Sequence, residues 1–420
     1  MKVKYLKRTI IFSGLIGSTV LAFLLYEPEF YSLDWQPLPK IEVTKGQSQN
    51  FDQGFQQEIV KAQQLVQQGL SKLGSPGISI AIGIKGEKVW AAGYGLADVE
   101  NNKPITLGSQ FRIGSTSKAV TSLALGKLLE QNLLKLDDNI ETYLPDLPKA
   151  LHDITIRQLA SHQSGIRNYG SCFCLPMAEY FSNDEFSSVT EALELFINDE
   201  LLFKPGSQFS YSSYNYTLLS AVMEQAAKRP FLEIMQIQVF DPLQMNLTAA
   251  DTIGVKIPNE VNFYNVGYGH YQLSYDVNNS NKWAGGGFLS TPSDLVQMTN
   301  QLVSGNYLKQ DTLATLFEPQ KLSNGEVNQQ NYALGWRHSI TKEPLAGKNK
   351  VHYIHHGGTA AGSSSLLIMF PEYDLVVSVL MNSSIGNFGE LWDLTFEVAT
   401  QFLSVLGKKA KDQVIVKQNN

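Results

Sequence analysis

Two periods of apolar spacing divide this chain, and their order along it sets the architecture to expect. From Phe55 to Val66 (FQQEIVKAQQLV) apolar positions recur at helical spacing, which predicts an amphipathic helix. After the Pro76-Gly77 break, Ile78–Ile84 (ISIAIGI), a Lys85-Gly86-Glu87 turn and Val89–Gly95 (VWAAGYG) predict a β-hairpin. From Ser115 to Glu130 the pattern returns to helix and is apolar on most faces, so this helix is expected at the centre of the fold. Between Ile154 and Lys282 helices and loops are expected, Val189–Ile197 and Tyr216–Ala227 among the helices. Strand signals return late, as Ser363–Phe370 (SSSLLIMF), a Pro371–Asp374 turn and Leu375–Asn382 (LVVSVLMN), followed by an apolar helix over Leu391–Leu406. Strands at both ends with helices between them predict an α+β fold: an antiparallel sheet built from sequence-distant halves, flanked by helices, with an inserted, mainly helical lobe over about 150–285.

The amino terminus obeys another rule. Lys2, Lys4, Lys7 and Arg8 precede an uncharged run from Thr9 to Tyr26, TIIFSGLIGSTVLAFLLY. Eighteen helical residues reach about 27 Å, close to the hydrocarbon thickness of a bilayer. Basic residues before the run favour export of the chain beyond it. Residues 1–26 are therefore expected to be a signal anchor, 27–54 a linker rich in proline, 55–406 the folded domain and 407–420 a frayed tail. The alternative is a cleaved signal, against which the stretch before Pro28 offers no clean small-residue site.

Composition narrows the function classes. Hydrophobic residues make up 43% and charged residues 17%, as in an ordinary globular enzyme. The net charge is −6, and taking the four basic residues at the start out of the 33 leaves 29 basic against 39 acidic. Such a body has no electrostatic footprint for nucleic acid. The two cysteines, Cys172 and Cys174, are separated by one residue. A bridge between them would close a strained ring, and no second pair sits at zinc-ligand spacing, so neither a metal nor a cofactor is expected.

The densest chemical signal is Ile113-Gly114-Ser115-Thr116-Ser117-Lys118, at the start of the buried helix. Ser115 and Lys118, three residues apart on a helix, share a face. The helix amino terminus adds positive potential, and the Ser115 N–H is a ready oxyanion donor. A lysine desolvated there has its pKa lowered and can serve as a base. Taken by itself, Ser115 could equally be an N-cap, with Ser117 as rival.

Further segments supply partners in order. They are Ile154–Leu159 with Ser161–Ile166; Lys204-Pro205-Gly206 with Phe209–Ser213; Trp283–Phe288 with Ser290–Leu295; Tyr332–Trp336; and His355-His356-Gly357-Gly358. Together with the Ser115–Lys118 motif they resemble the serine beta-lactamases, DD-peptidases and related esterases. The resemblance runs from about Ser75 to Leu406, and it implies a beta-lactamase/transpeptidase-like fold and acyl-enzyme chemistry. It departs at two places. Ser213 stands where relatives carry asparagine, and a histidine stands where many carry the lysine of Lys-Thr-Gly. Both features are similar to the branch of mitochondrial serine beta-lactamase-like proteins and of bacterial esterase and peptidase relatives. They weigh against fast antibiotic hydrolysis, because a neutral histidine holds a carboxylate less well than lysine does.

The resemblance implies Ser115 as nucleophile, with Lys118, Tyr211 or the pair of them as base. It implies the N–H groups of Ser115 and Gly358 as oxyanion hole, and Ser213, His355 and Gly357 as substrate contacts. His356 is the alternative to His355, and His162 is expected to be a structural hydrogen-bonder. The expected substrate is a small molecule or peptide with a peptide, ester or lactam carbonyl, cell-wall peptides included. The expected location is a bacterial inner membrane, spanned once, with the catalytic domain in the periplasm. A true beta-lactamase and a catalytically silent, membrane-tethered binding protein are the competing readings.

Overall fold

Lys85 and Gly86 have φ of 53° and 83°, the left-handed pair that a two-residue hairpin needs, and they fold the first strand signal back on itself. The structure is a computed structural model. It describes residues 14, 15, 17–20, 35–40, 46–169, 179, 180, 182–255, 257–274, 276–345, 347 and 350–418. The elements that position the site are, in chain order, β1 (Gly46–Asn50), α1 (Gln56–Leu73), β2 (Gly77–Ile84), β3 (Glu87–Asp98), α2 (Ser117–Glu130), α3 (Tyr214–Ala227), the single turn α4 (Trp283–Gly286) and α5 (Pro292–Val303). The chain continues through β4 (Arg337–Ile340), β5 (His352–Ala360), β6 (Ser363–Phe370), β7 (Leu375–Met381) and α6 (Phe388–Gln418).

The main sheet has the order β4-β5-β6-β7-β2-β3-β1, every pairing antiparallel. β7 pairs directly with β2 across almost three hundred residues of sequence, Met381 facing Ile78 and Leu375 facing Ile84. The two predicted hairpins thus meet side by side, as a sheet made from both ends of the domain requires. Both faces of the central strands β6, β7 and β2 are buried, so these strands read as near-continuous apolar runs. Ile78, Ile80, Ile82, Leu366, Ile368, Val377 and Val379 pack with α1 and α6 on one face. Ala81, Leu367, Met369, Val376 and Leu380 pack with the helical lobe on the other. Small residues let α5 approach this second face closely: a Cβ on Gly83 would fall 2.4 Å from Asn300 Oδ1 and 2.7 Å from Val296 Cγ1.

Two expectations change. Part of the expected linker, Gly46–Asn50, pairs with β3 as an edge strand; it is polar and mostly exposed, so no alternation marked it. The helix expected to end at Leu406 runs on to Gln418, across most of the expected tail. Among the described residues no helix is long and apolar enough to cross a membrane. Most of the expected anchor, along with Cys172 and Cys174, lies outside the described residues.

Candidate active site

Ser115 is held by a turn that only glycine allows. Gly114 has φ of 49°, and a Cβ there would fall 2.4 Å from the Thr359 carbonyl oxygen. The preceding Phe111–Arg112 pairs with Phe288–Ser290, and the Ile113 N–H donates to the Phe288 carbonyl at 3.0 Å. Gly114–Thr116 then forms a 3₁₀ turn feeding α2. The residue at the N-cap of α2 is Thr116, with no side-chain capping bond, so the Ser115 hydroxyl is not used as a cap. Ser115 is partly exposed, whereas Lys118 is completely buried. The Lys118 ammonium donates to Ser115 Oγ at 3.2 Å, to Ser213 Oγ at 2.9 Å and to the Gly285 carbonyl at 2.5 Å. Its three protons are all directed.

Tyr211 closes the group. Lys118 Nζ lies 4.9 Å from its ring centre, and its hydroxyl is within reach of the Lys118 and Ser115 side chains. Burial raises the phenol's pKa, but the Lys118 and Arg337 charges and these contacts outweigh burial and hold it below the ordinary tyrosine value. Burial lowers the Lys118 pKa, Tyr211 opposing and Arg337 assisting. His162, buried and at φ 60°, packs its ring 4.2 Å from that of Tyr211. Its Nδ1 accepts from the Ser212 N–H at 3.3 Å and faces Asn215 Nδ2 at 3.2 Å. Burial, aided by Lys118 and Arg337, keeps the ring neutral. It packs on Tyr211 while hydrogen-bonding within the site.

β5 corrects the register of the last motif. His355 pairs with Ile368, and its ring lies on the α6 side of the sheet, 4.8 Å from Trp392 and 5.1 Å from Tyr353, with Nε2 3.0 Å from Ser339 Oγ. His356 pairs with Leu367 and faces the helical lobe, its ring 6.4 Å from Tyr211. The histidine beside the Ser115–Lys118–Tyr211 group is therefore His356 rather than His355, because successive strand residues point to opposite faces. Its Nε2 receives Arg337 at 3.3 Å and the Tyr332 hydroxyl at 3.0 Å, and Nδ1 donates to the Gly357 carbonyl at 2.7 Å. An arginine can only donate, which assigns a neutral, Nδ1-protonated ring. Burial, with Arg337 and Lys118, holds its pKa far below the ordinary value; burial, with Arg337 and His338, takes His355 to about 3.

The expected oxyanion donor moves by one residue as well. The Val351 carbonyl pairs outward with the Thr341 N–H at 3.0 Å, and the Thr359 carbonyl accepts from the Tyr180 hydroxyl at 3.5 Å. Residues of that parity on β5 direct both backbone groups to the open edge, so the cleft receives the Thr359 N–H, while Gly358 turns its own toward Ser365 on β6. Gly358 serves by having no side chain. A Cβ there would fall 2.1 Å from the Ile113 carbonyl oxygen and 2.8 Å from the Ser115 nitrogen. The Cβ direction of Gly357 points at Phe388, on the far face.

Two hollows flank Ser115. An open cleft of about 340 Å³ is lined by Tyr211, Arg337, His355, Gly357, Thr359 and Trp392. A narrow cavity of about 30 Å³ is lined by Ser213, Gly285, Lys282, Tyr169 and Tyr180. Arg337 holds Gln330 Oε1 at 2.9 Å and lies over the rings of Tyr211 and Tyr332; among the described residues no carboxylate pairs with it. Sequence reasoning missed Arg337, Thr359 and the Gly285 carbonyl. Only Arg337 had a signal available, directly after the Tyr332–Trp336 segment. Among the described residues no group of three or more His, Cys, Asp or Glu could hold a metal.

The family model described as Beta-lactamase matches residues 62–400 of this chain. The mitochondrial serine beta-lactamase-like protein LACTB of Mus musculus is 31% identical over 409 residues, covering 76% of this chain and 74% of that protein. Penicillin-binding protein 4* of Bacillus subtilis is 24% identical over 315 residues, covering 71% of this chain and 66% of that protein. A D-stereospecific amidohydrolase from Streptomyces superposes with a TM-score of 0.65 at 23% identity, over 79% of this chain and 98% of its own, a likeness of fold. The chain belongs to the beta-lactamase family of serine hydrolases.

Proposed function

We propose that this protein hydrolyses peptide or ester carbonyls through an acyl-enzyme on Ser115. The observation that carries the reading is the 3.2 Å contact between Ser115 Oγ and the buried Lys118 Nζ, with Tyr211 against both. Ser115 Oγ attacks the carbonyl carbon and its proton passes to the Lys118–Tyr211 pair. The Ser115 and Thr359 N–H groups receive the oxyanion. As the tetrahedral adduct collapses, the bond to the leaving group breaks and Tyr211 returns the proton to it. Water then attacks the ester on Ser115, the same pair takes its proton and passes it to Ser115 Oγ as the ester bond breaks, and the acid leaves. Tyr211 rather than a separate carboxylate serves this second half, because it lines the open cleft together with Ser115 and its hydroxyl reaches the Ser115 side chain.

The substrate reading is a small ester or a peptide, with D-amino-acid peptides of the cell wall included. The neutral His356 leaves Arg337 as the cation on the leaving-group side. The uncharged stretch Thr9–Tyr26 supports attachment to a bacterial inner membrane, with the domain in the periplasm. Side-by-side turnover of a short acyl ester, a D-Ala-D-Ala peptide and a chromogenic cephalosporin, with Ser115→Ala as background, tests the assignment. Ester or peptide turnover is expected to dominate; rapid cephalosporin turnover alone would make the protein a true beta-lactamase. Recovery of the full chain in salt-washed membranes is the expected result for the tether, and a soluble, shortened chain would overturn it.

A further inference from the structure

The mechanism leaves one buried ammonium unused. Lys282 is 6% exposed, directly before α4. Its Nζ donates to the Tyr180 carbonyl at 2.6 Å and lies 4.9 Å and 5.7 Å from the ring centres of Tyr180 and Tyr169. Among the described residues no carboxylate lies at ion-pair distance from it; the nearby Asp251 is engaged by Arg112 Nε at 2.8 Å and Asn279 Nδ2 at 2.5 Å. An ammonium carries three donors, and a buried cation without a counter-charge is costly. The Lys282 main chain is fixed as well. Its carbonyl accepts from Gly285 at 3.0 Å and Gly286 at 2.8 Å, within the turn whose Gly285 carbonyl holds Lys118.

Lys282 lines the same narrow cavity as Ser115, whereas Tyr211 lines the open cleft. Tyr211 has to reprotonate the leaving group, so the leaving group occupies the open cleft and the acyl tail enters the narrow cavity. At about 30 Å³ this cavity admits only a small terminal group, since one water takes roughly 10–15 Å³ on the same measure.

We propose that the Lys282 ammonium forms an acyl-side subsite for a carboxylate at the end of a short acyl chain. This rests on the acyl-enzyme reading and adds the class of acyl group. The bound carboxylate supplies the missing counter-charge, while the Tyr169 and Tyr180 rings flank the lysine. Burial and Arg112, with Asp251 opposing, lower the Lys282 pKa to about 7, and an incoming carboxylate favours its charged form.

The test is a ratio. Two esters with one chromogenic leaving group are compared, a glutaryl ester ending in a carboxylate and a 5-methylhexanoyl ester ending in a neutral group of similar shape. Rates with Ser115→Ala are subtracted from both. In wild type kcat/KM favours the glutaryl ester about tenfold or more, equivalent to about 1.4 kcal/mol. Lys282→Met brings the ratio near one, and Lys282→Arg keeps most of the preference. Each ratio is taken within one protein sample, so partial misfolding of a variant cancels. A wild-type ratio at or below one, or a preference that survives Lys282→Met, overturns the subsite alone. Failure of Ser115 to turn over either ester overturns the acyl-enzyme reading and the subsite with it.

Discussion

Replacing Lys118 by methionine separates catalysis from folding at the centre of the site. The substitution keeps the length of the side chain and removes its charge and all three donated hydrogen bonds. Ser213 Oγ and the Gly285 carbonyl lose a donor, at roughly 1–3 kcal/mol apiece. Against this, the penalty of several kcal/mol for burying an ammonium disappears. The two effects largely offset, so the variant is expected to fold with a melting temperature within a few degrees of wild type. The kinetics do not offset. Loss of a positioned base removes about 10²–10⁴ in rate, or about 2.7–5.4 kcal/mol of barrier at about 1.36 kcal/mol per decade. The pH profile carries a second signature. Burial raises the Tyr211 pKa, and Lys118 is the foremost of the charges that bring it below the ordinary value. The base acts deprotonated, so kcat/KM rises with pH; without Lys118 the phenol's pKa climbs and the rising limb moves to higher pH. Hydrolysis of a chromogenic short acyl ester across that range, beside a thermal melt, measures both. A folded Lys118→Met variant within threefold of wild type, with an unmoved limb, would show that Lys118 is not part of the base.

Gly358→Ala places a methyl group 2.1 Å from the Ile113 carbonyl oxygen and 2.8 Å from the Ser115 nitrogen. Displacing the oxyanion donors is expected to lower kcat by about 10²–10³, and the same ester assay reads it. Glu260 makes a prediction about stability. Burial, with Asp251 adding and Arg112 opposing, raises its carboxyl to about 7. Its contribution is fully present below the unfolded value of about 4.3 and is lost as pH rises through about 7. Glu260→Gln is therefore expected to melt above wild type at pH 8, with the difference closing near pH 4.5 in parallel thermal scans.

The hairpins and the buried central helix were legible because burial on both sheet faces leaves unbroken apolar runs, and because a helix apolar on most faces has nowhere to sit but the core. Ser115 and Lys118 were legible for a local reason, since a spacing of three across the 3₁₀ turn and the first turn of α2 fixes which side chains meet. The last motif was harder. Two histidines followed by two glycines give no alternation, and a choice of register by one residue reverses every side chain and every N–H. Hence His355 was expected where His356 stands, and Gly358 where Thr359 stands. Lys282 was invisible for another reason: its meaning lies in which charges fail to reach it, and that is decided by packing between distant segments, whereas Arg337 had only its place after the Tyr332–Trp336 segment to mark it. The polar edge strand Gly46–Asn50 is held by backbone bonds to β3 rather than by buried side chains, so its residue types carry no strand signal.

The central claim is that Ser115 is acylated. Intact-mass and peptide mass spectrometry after treatment with a fluorophosphonate measures it most directly. One adduct is expected, located on Ser115, absent from a folded Ser115→Ala variant and formed far more slowly in Lys118→Met. An adduct on another residue, equal labelling of wild type and Ser115→Ala, or no adduct on the folded wild-type protein would contradict it.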